Sequence, residues 1–373
     1  MSAAAGSSLG FAPMPTLDPD ALRAYSLTLF TKYEGAITTL MVHLGDRLGL
    51  YRALAAAGGP VTTAELAEHT SLDERWVREW LHNQASARLV AFDTDAGTDR
   101  FWLSPEAVAI VADAESPWYS LGLFGRVPTM SLLVEPLLQS FRTGVGYDYD
   151  ALGPEVAASV EANMAPWYRH FLVPVLLPKL DGVEERLAAG GRVADVGCGS
   201  GRAVLTIAEA FPAADVHGYD ISALALGRAE AAQAERGLSN AHFHNARDEP
   251  LPDDNSVDLA ITFDCIHDMT RPEETIAAIR RAVAPDGTWL LVDMKARDTF
   301  MENATKNPMA ALMYGVSVTS CMASALSEPG GAGLGTLGLP ESRAREMASA
   351  AGFTRFRRVD VDHPVQAFYE IRP

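Results

Sequence analysis

The segment Val193-Ala-Asp195-Val-Gly197-Cys-Gly199-Ser-Gly201-Arg202 constrains the fold more than any other stretch. It reads as a buried strand breaking into a glycine loop that opens a helix. A second apolar run, Ala214-Asp-Val-His-Gly-Tyr-Asp220, ends in an acid nineteen residues after Gly201. Such a strand, turn, helix and second strand form the unit of a nucleoside site. The glycines let backbone amides approach a ligand, and the terminal carboxylate accepts from both ribose hydroxyls. The glycines alone also fit an ordinary tight strand-to-helix turn, so the downstream segments decide between the two readings.

Those segments continue an alternating α/β pattern. Asn240–Asn245 reads as a short strand followed by a polar, proline-rich loop, and Val257–Phe263 as a buried strand leading into Asp264-Cys-Ile-His267-Asp268-Met269. A helix over Pro272–Val283 and an Ala-Pro-Asp-Gly turn lead to a strand at Gly287–Asp293. A helix over Glu341–Ala351 ends at Gly352, and the closing runs Thr354–Val361 and Val365–Ile371 are spaced as a hairpin, which predicts an antiparallel last strand.

Asp195, two residues before the first glycine, resembles the Asp/Glu-x-Gly-x-Gly-x-Gly signature of S-adenosylmethionine-dependent methyltransferases of the Rossmann-like class. The resemblance implies an α/β fold: a Rossmann-like class I methyltransferase sheet with an antiparallel last strand, which separates it from a dehydrogenase sheet. It also implies S-adenosyl-L-methionine as cofactor and S-adenosyl-L-homocysteine as product. The cofactor set carried over is Asp195, Gly197, Gly199, Gly201, Asp220, Ile221, Asn245, Ala246, Phe263 and Asp264. Asn245 stands where the family usually has an aspartate for adenine, and its side-chain oxygen can still accept from the adenine amino group.

Cys265-Ile-His267-Asp268-Met269 resembles the Cys-x-His-Asp-Trp element of plant-type O-methyltransferases, with Met269 in place of tryptophan. The resemblance implies His267 as general base and Asp293, ending the next strand, as the acid that orients it. A carboxylate there fixes the tautomer and favours the imidazolium formed on proton abstraction. The bland reading is that His267 caps a helix or binds its own loop. Two further readings stay open: methylation of an activated carbon, and a cofactor-binding regulator without catalysis.

Length and pattern divide the chain into a disordered tail (1–17), a winged-helix and dimerisation domain (18–112), a helical connector covering the pocket (113–187) and a cofactor-binding domain (188–373). In the second, Ala36–Ala56, Thr63–His69 and Asp73–Leu89 have helical patterns, and Leu89–Phe92 and Arg100–Leu103 flank an acidic tip. This looks like a winged helix. The net charge of −18, with Asp73, Glu74 and Glu79 on the would-be recognition helix, opposes phosphate contact and excludes nucleic acid as the expected partner. The stripe Leu40, Leu44, Leu48 and Tyr51 is expected to pack, and the module to serve a homodimer.

The connector is rich in aromatics, and Val156–Leu177 has helical spacing. An insertion over Phe300–Leu339 carries Met301, Met309, Met313, Tyr314, Cys321 and Met322, a composition that adapts to irregular apolar shapes. The expected acceptor pocket comprises Asp268, Met313, Tyr314, Cys321 and Trp167, for a hydrophobic small molecule. From about residue 30 to 373 the chain resembles an actinobacterial group of winged-helix methyltransferases. It departs from that group at Asp293-Met-Lys and at Ser320-Cys-Met-Ala-Ser. No metal site is expected, since Asp264, Asp268 and Asp293 read as hydrogen-bonding partners. Three scattered cysteines and the lack of an uninterrupted apolar run of spanning length suggest a soluble, cytoplasmic protein.

Overall fold

Asp18 accepts from the amides of Asp20 and Ala21 and starts α1 (Pro19–Arg47), which carries its proline in the first turn. The computed structural model describes residues 16–95, 97–154, 158, 162 and 165–373. The expected tail up to residue 15, and part of the Val156–Leu177 pattern, lie outside them. Gly49, at φ 73°, divides the helix expected over Ala36–Ala56 into α1 and α2 (Leu50–Ala57). A capping box between Thr62 and Glu65 starts α3 (Thr63–Thr70), and Asp73 caps α4 (Glu74–Ser86).

The hairpin β1 (Ala91–Asp95) and β2 (Thr98–Trp102) forms the wing, and Phe101 exchanges two backbone hydrogen bonds with Val61. Leu50, Leu54, Leu66, Val77, Leu81 and Phe101 fill the core beneath it, and α5 (Pro105–Val111) follows. The apolar stripe does not pack as expected. Tyr51 is buried, but Leu40, Leu44 and Leu48 are 39–48% exposed, because α1 turns Thr38, Val42 and Gly45 inward instead. Gly45 fixes that rotation: a Cβ there would lie 2.4 Å from the Trp80 ring.

One helical run among the described residues, Leu121–Thr143, is long and apolar enough by length and composition to cross a membrane. Reading uninterrupted apolar residues misses it, because Arg126, Pro128, Glu135, Pro136 and Arg142 interrupt the run. It is jointed, beginning with 3-10 turns at Leu121–Arg126 and Ser131–Leu133 and ending in the helix Val134–Thr143.

The large sheet has the order β5-β4-β3-β6-β7-β9-β8. Strands β3 (Arg192–Val196), β4 (Asp215–Asp220), β5 (Ala241–Asn245), β6 (Val257–Phe263) and β7 (Val283–Met294) pair in parallel. The last strand, β9 (Gln366–Arg372), runs antiparallel between β7 and β8 (Arg355–Arg358). The Ala-Pro-Asp-Gly segment lies within β7 as an irregularity. Val257 pairs with Val283 and Leu259 with Thr288, so Ala284–Gly287 are accommodated without a break between strand and strand.

Helices cover both faces, so the central strands are apolar throughout. Val193, Leu259, Ile261 and Leu290 point to one core, while Ala194, Val196, Ala260, Trp289 and Leu291 point to the other. The strand order reverses between β3 and β6. At their carboxyl ends the connecting segments diverge and leave the crevice in which ligands of open α/β sheets bind.

Candidate active site

The glycine turn is forced by close approaches. At Gly197 (φ 77°) a Cβ would lie 2.7 Å from that of Cys265, and at Gly201 (φ 71°) 2.4 Å from the Phe243 ring. The turn therefore sits flush between the ends of β3, β5 and β6. The Gly199 amide donates to Asp220 Oδ2 at 2.7 Å and the Ser222 amide to Oδ1 at 2.8 Å, so the acid ending β4 is held by backbone from both sides. Burial pushes its carboxyl above the ordinary range.

Asp195 is 1% exposed, and neither of its carboxylate oxygens has a hydrogen-bond partner among the described residues. Burial, aided by the charge of Asp220, raises its carboxyl well above the ordinary range. An unsatisfied buried carboxylate is costly to keep, and its two oxygens can accept from a cationic or amino-bearing ligand. Asp264 adopts φ 49° and receives a hydrogen bond from Gln366 Nε2, a residue of β9. Burial and the charge of Asp293 push Asp264 up to about 7. Phe263 meets the rings of Trp167 and Tyr168 edge-on, with centroids 5.7 and 5.1 Å away.

On the adenine side expected from the sequence, the Asn245 side chain accepts from the Arg247 amide at 3.1 Å, and the Ala246 amide donates to the Asp220 carbonyl at 2.9 Å. Ile221 is 47% exposed beside them.

Next to this turn lies a buried polar cluster. His267 Nδ1 and Asp293 Oδ1 are 2.6 Å apart, both residues are 1% exposed, and His267 Nε2 has no hydrogen-bond partner among the described residues. Burial alone would lower the imidazole, but the charge and hydrogen bond of Asp293, with a contribution from Cys321, hold it well above its ordinary range. Asp268 accepts from the Tyr149 hydroxyl at 2.7 Å, and Ser320 Oγ donates to that hydroxyl at 3.3 Å. Burial pushes Asp268 up to about 7. Donor atoms of His267, Asp268 and Cys321 lie within 4.8 Å of one another, a set able to bind an acceptor hydroxyl or a borderline metal ion.

A strap from the connector closes the cluster. The amides of Gly146 and Tyr147 donate to the carbonyls of Leu326 and Ala323, and the Tyr147 hydroxyl to that of Thr319. Three residues on, Asp150 accepts from the Ser222 hydroxyl and from the Ala223 amide at 3.1 Å, capping the helix that follows Asp220. The strap therefore touches the insertion at one end and the glycine-turn side at the other.

The structure thus brings together Asp195, the three glycines and Asp220, and beside them His267, Asp268, Asp293 and Cys321. It does not bring Tyr314 to them: that ring is 36% exposed and meets Phe300 at 5.9 Å. Trp167 lies with Phe263 and Phe368, on the Asp264 side. Met313 is buried, its sulfur 3.4 Å from Asn307 Nδ2. Asp150 and Gln366 were not singled out from the sequence, and no local spacing marks them, whereas Tyr149 is one of the aromatics of the connector expected to cover the pocket.

Residues 187–335 match the family described as "Methyltransferase domain", and residues 36–112 match the "Rv2258c-like winged HTH domain". The chain joins a winged helix to a methyltransferase domain, whose cofactor is S-adenosylmethionine. Human N-acetylserotonin methyltransferase, solved with S-adenosylmethionine, is similar in fold to this methyltransferase, with a TM-score of 0.66 at 17% identity over 96% of this chain and 99% of that one. Mitomycin 7-O-methyltransferase gives 0.63 at 19% identity over 95% and 99%. An O-methyltransferase family protein from Burkholderia thailandensis gives 0.63 at 16% over 93% and 98%. No curated protein matches by sequence.

Proposed function

We propose that this methyltransferase acts on an oxygen of a hydrophobic small molecule, with His267 as general base and Asp293 as its orienting acid. The observation that carries this reading is the buried Asp293–His267 contact at 2.6 Å, with no hydrogen-bond partner for the far ring nitrogen among the described residues. Asp293 holds the proton on Nδ1, so Nε2 presents its lone pair to an acceptor hydroxyl.

The residues of the glycine turn fit the cofactor. Asp195 offers two unsatisfied acceptors for the amino group of its methionine part, and Asp220 keeps lone pairs for the ribose hydroxyls beside its two backbone donors. Asn245 and Ala246 border the adenine end, and Phe263 and Asp264 the sulfonium end. When bound, S-adenosylmethionine supplies an electrophilic methyl carbon on a sulfonium. The protein holds the acceptor oxygen in line with that carbon, excludes water and takes the hydroxyl proton on His267, with Asp268 and Cys321 beside it to bind the acceptor's polar end.

Two neighbours of this fold carry small-molecule acceptors in their names, N-acetylserotonin and mitomycin, which supports an acceptor of that size. The winged helix does not favour nucleic acid. On α4, Arg78 pairs with Glu74 and Arg75 with Glu79, which leaves little positive charge for phosphate. The exposed Leu22, Phe30, Tyr33, Leu40 and Leu44 of α1 support a homodimer through this region. The free cysteines at 198, 265 and 321 suit a reducing compartment.

The test is conversion of S-adenosylmethionine to S-adenosylhomocysteine against a panel of phenols, alcohols and enolisable carbon acids, with the product methyl located by NMR. An O-methyl ether formed by the parent and lost in His267→Ala supports the reading. A C-methyl product, or an O-methyl product formed equally well by His267→Ala, overturns it.

A further inference from the structure

Three polar side chains beside the cofactor turn converge as a set of unlike donors. His267 and Asp268 stand on the short 3-10 turn Ile266–Asp268 that follows β6, and Cys321 ends the π-turn Ser317–Cys321 of the insertion. Such a turn is one residue wider than an α-helical one and recurs at functional sites, and here it carries Ser320 and Cys321 at 4% and 8% exposure. A nitrogen, a carboxylate oxygen and a sulfur of His267, Asp268 and Cys321 lie within 4.8 Å of one another, and all three residues are buried.

Two of the donors are held from behind. Asp293 Oδ1 lies 2.6 Å from His267 Nδ1, which leaves Nε2 as the ring nitrogen free to bind, and Nε2 is buried with no hydrogen-bond partner among the described residues. The Tyr149 hydroxyl donates to Asp268 Oδ2 at 2.7 Å, and Ser320 Oγ donates to that hydroxyl at 3.3 Å. A carboxylate behind an imidazole and a hydroxyl behind a carboxylate are the outer partners that metal ligands ordinarily have.

The third donor separates a metal site from a site that only grips a hydroxyl. A thiol is a weak hydrogen-bonding group and adds little to the hold on an acceptor oxygen, whereas a thiolate is a strong ligand of borderline ions. Carboxylate and thiolate together also balance the two charges of a divalent ion, as a buried position requires.

We propose that His267, Asp268 and Cys321 bind a divalent ion of the zinc class, and that the bound ion silences methyl transfer by taking the lone pair of His267 Nε2. The binding stands on the geometry of the three donors, while the silencing rests on the reading of His267 as general base. Nitrogen, oxygen and thiolate sulfur are all zinc ligands, and three protein ligands leave a fourth position for water. Metal–ligand distances of ~2.0–2.3 Å in a tetrahedron set donor-to-donor edges of ~3.3–3.8 Å. The set therefore closes by at most about 1.5 Å from its present spread of 4.8 Å. On binding, Cys321 gives its thiol proton to solvent, and no bond to carbon changes.

The test uses the full chain stripped with chelator and titrated with cobalt(II) by absorbance and with zinc(II) by calorimetry. Expected is one equivalent of cobalt bound with a thiolate charge-transfer band, which zinc then displaces. Cys321→Ser should abolish the band, and Cys321→Ser and His267→Ala should each weaken zinc binding by at least ~10-fold. Asp293→Asn, which changes only the group behind the imidazole, should weaken it by ~10-fold. Cys265→Ser should keep the band, since the Cys265 thiol donates to the Val196 carbonyl at 3.0 Å instead. Retained S-adenosylhomocysteine binding in each variant checks the fold. Zinc should also stop turnover by the parent, and chelator should restore it. No band in the parent, or a band that survives Cys321→Ser, overturns the site, and full turnover with the ion bound overturns the silencing. The two readings fail separately: O-methylation that depends on His267 in a parent without the band keeps the base and loses the ion site, and a band in a chain whose His267→Ala variant methylates normally does the reverse.

Discussion

The phenol of Tyr149 donates to Asp268 Oδ2 at 2.7 Å across 119 residues of sequence, which puts a connector side chain directly against the residue after the proposed base. Tyr149→Phe removes the donor from a buried carboxyl and leaves Ser320 Oγ without its acceptor. A loss of about 1–3 kcal/mol is expected. Urea denaturation of the variant against the parent measures it, and an unchanged midpoint would mean that solvent replaces the phenol.

The His267 imidazole, held above its ordinary range chiefly by Asp293 acting against burial, is protonated at low pH and cannot then accept a proton. Turnover should therefore rise with pH through a value above 6.5. Asp293→Asn removes the charge that raises it and should move this limb to lower pH, while lowering kcat by about 10²–10⁴-fold through the lost orientation. A pH profile of kcat for parent and variant decides. A limb that stays in place would assign the titration to another group.

Cofactor affinity should depend on the two acids of the glycine turn. Asp220→Ala loses charge-assisted hydrogen bonds worth about 1.5–3 kcal/mol, a weakening of roughly 10- to 100-fold for S-adenosylhomocysteine. Gly201→Ala meets both the Phe243 ring and a left-handed φ of 71°, and should lower stability as well as affinity. Calorimetry and thermal melts separate the two effects. Full affinity in Asp220→Ala would move the ribose elsewhere.

Two buried carboxyls set a pH slope on stability. Asp264 and Asp268 each rise from an ordinary 3.8 to about 7, chiefly by burial. The folded state binds these protons more tightly than the unfolded chain, so their contribution is complete below 3.8 and is lost as the pH climbs through about 7. The melting temperature of Asp268→Asn should fall less than that of the parent between about pH 4 and 7. Parallel curves for the two proteins would contradict the burial argument.

Local chemistry explains which parts could be read from the chain. The turn at Gly197–Gly201, the caps at Thr62 and Asp73, and the strand ends at Asp220, His267 and Asp293 are written in neighbouring residues, and strand order places them together. Asp150 and Gln366 reach the site only through tertiary packing, and nothing within a few residues of either signals it, while the aromatic composition of the connector points to a cover without saying that Tyr149 is the ring that meets Asp268. The Leu40–Leu48 stripe failed for a related reason. Helical periodicity finds an apolar face, but Gly45 against Trp80 decides which face turns inward.

Strand β9 is threaded between β7 and β8, and its first residue, Gln366, supplies the amide that reaches Asp264. During synthesis, then, everything from the glycine turn to β8 leaves the ribosome before the sheet can close. The nascent chain must wait with β7 unpaired on one side. Because β8 pairs with β9 and not with β7, the two come to the sheet as a hairpin, and Asp264 gains its Gln366 partner only when that hairpin docks on β7.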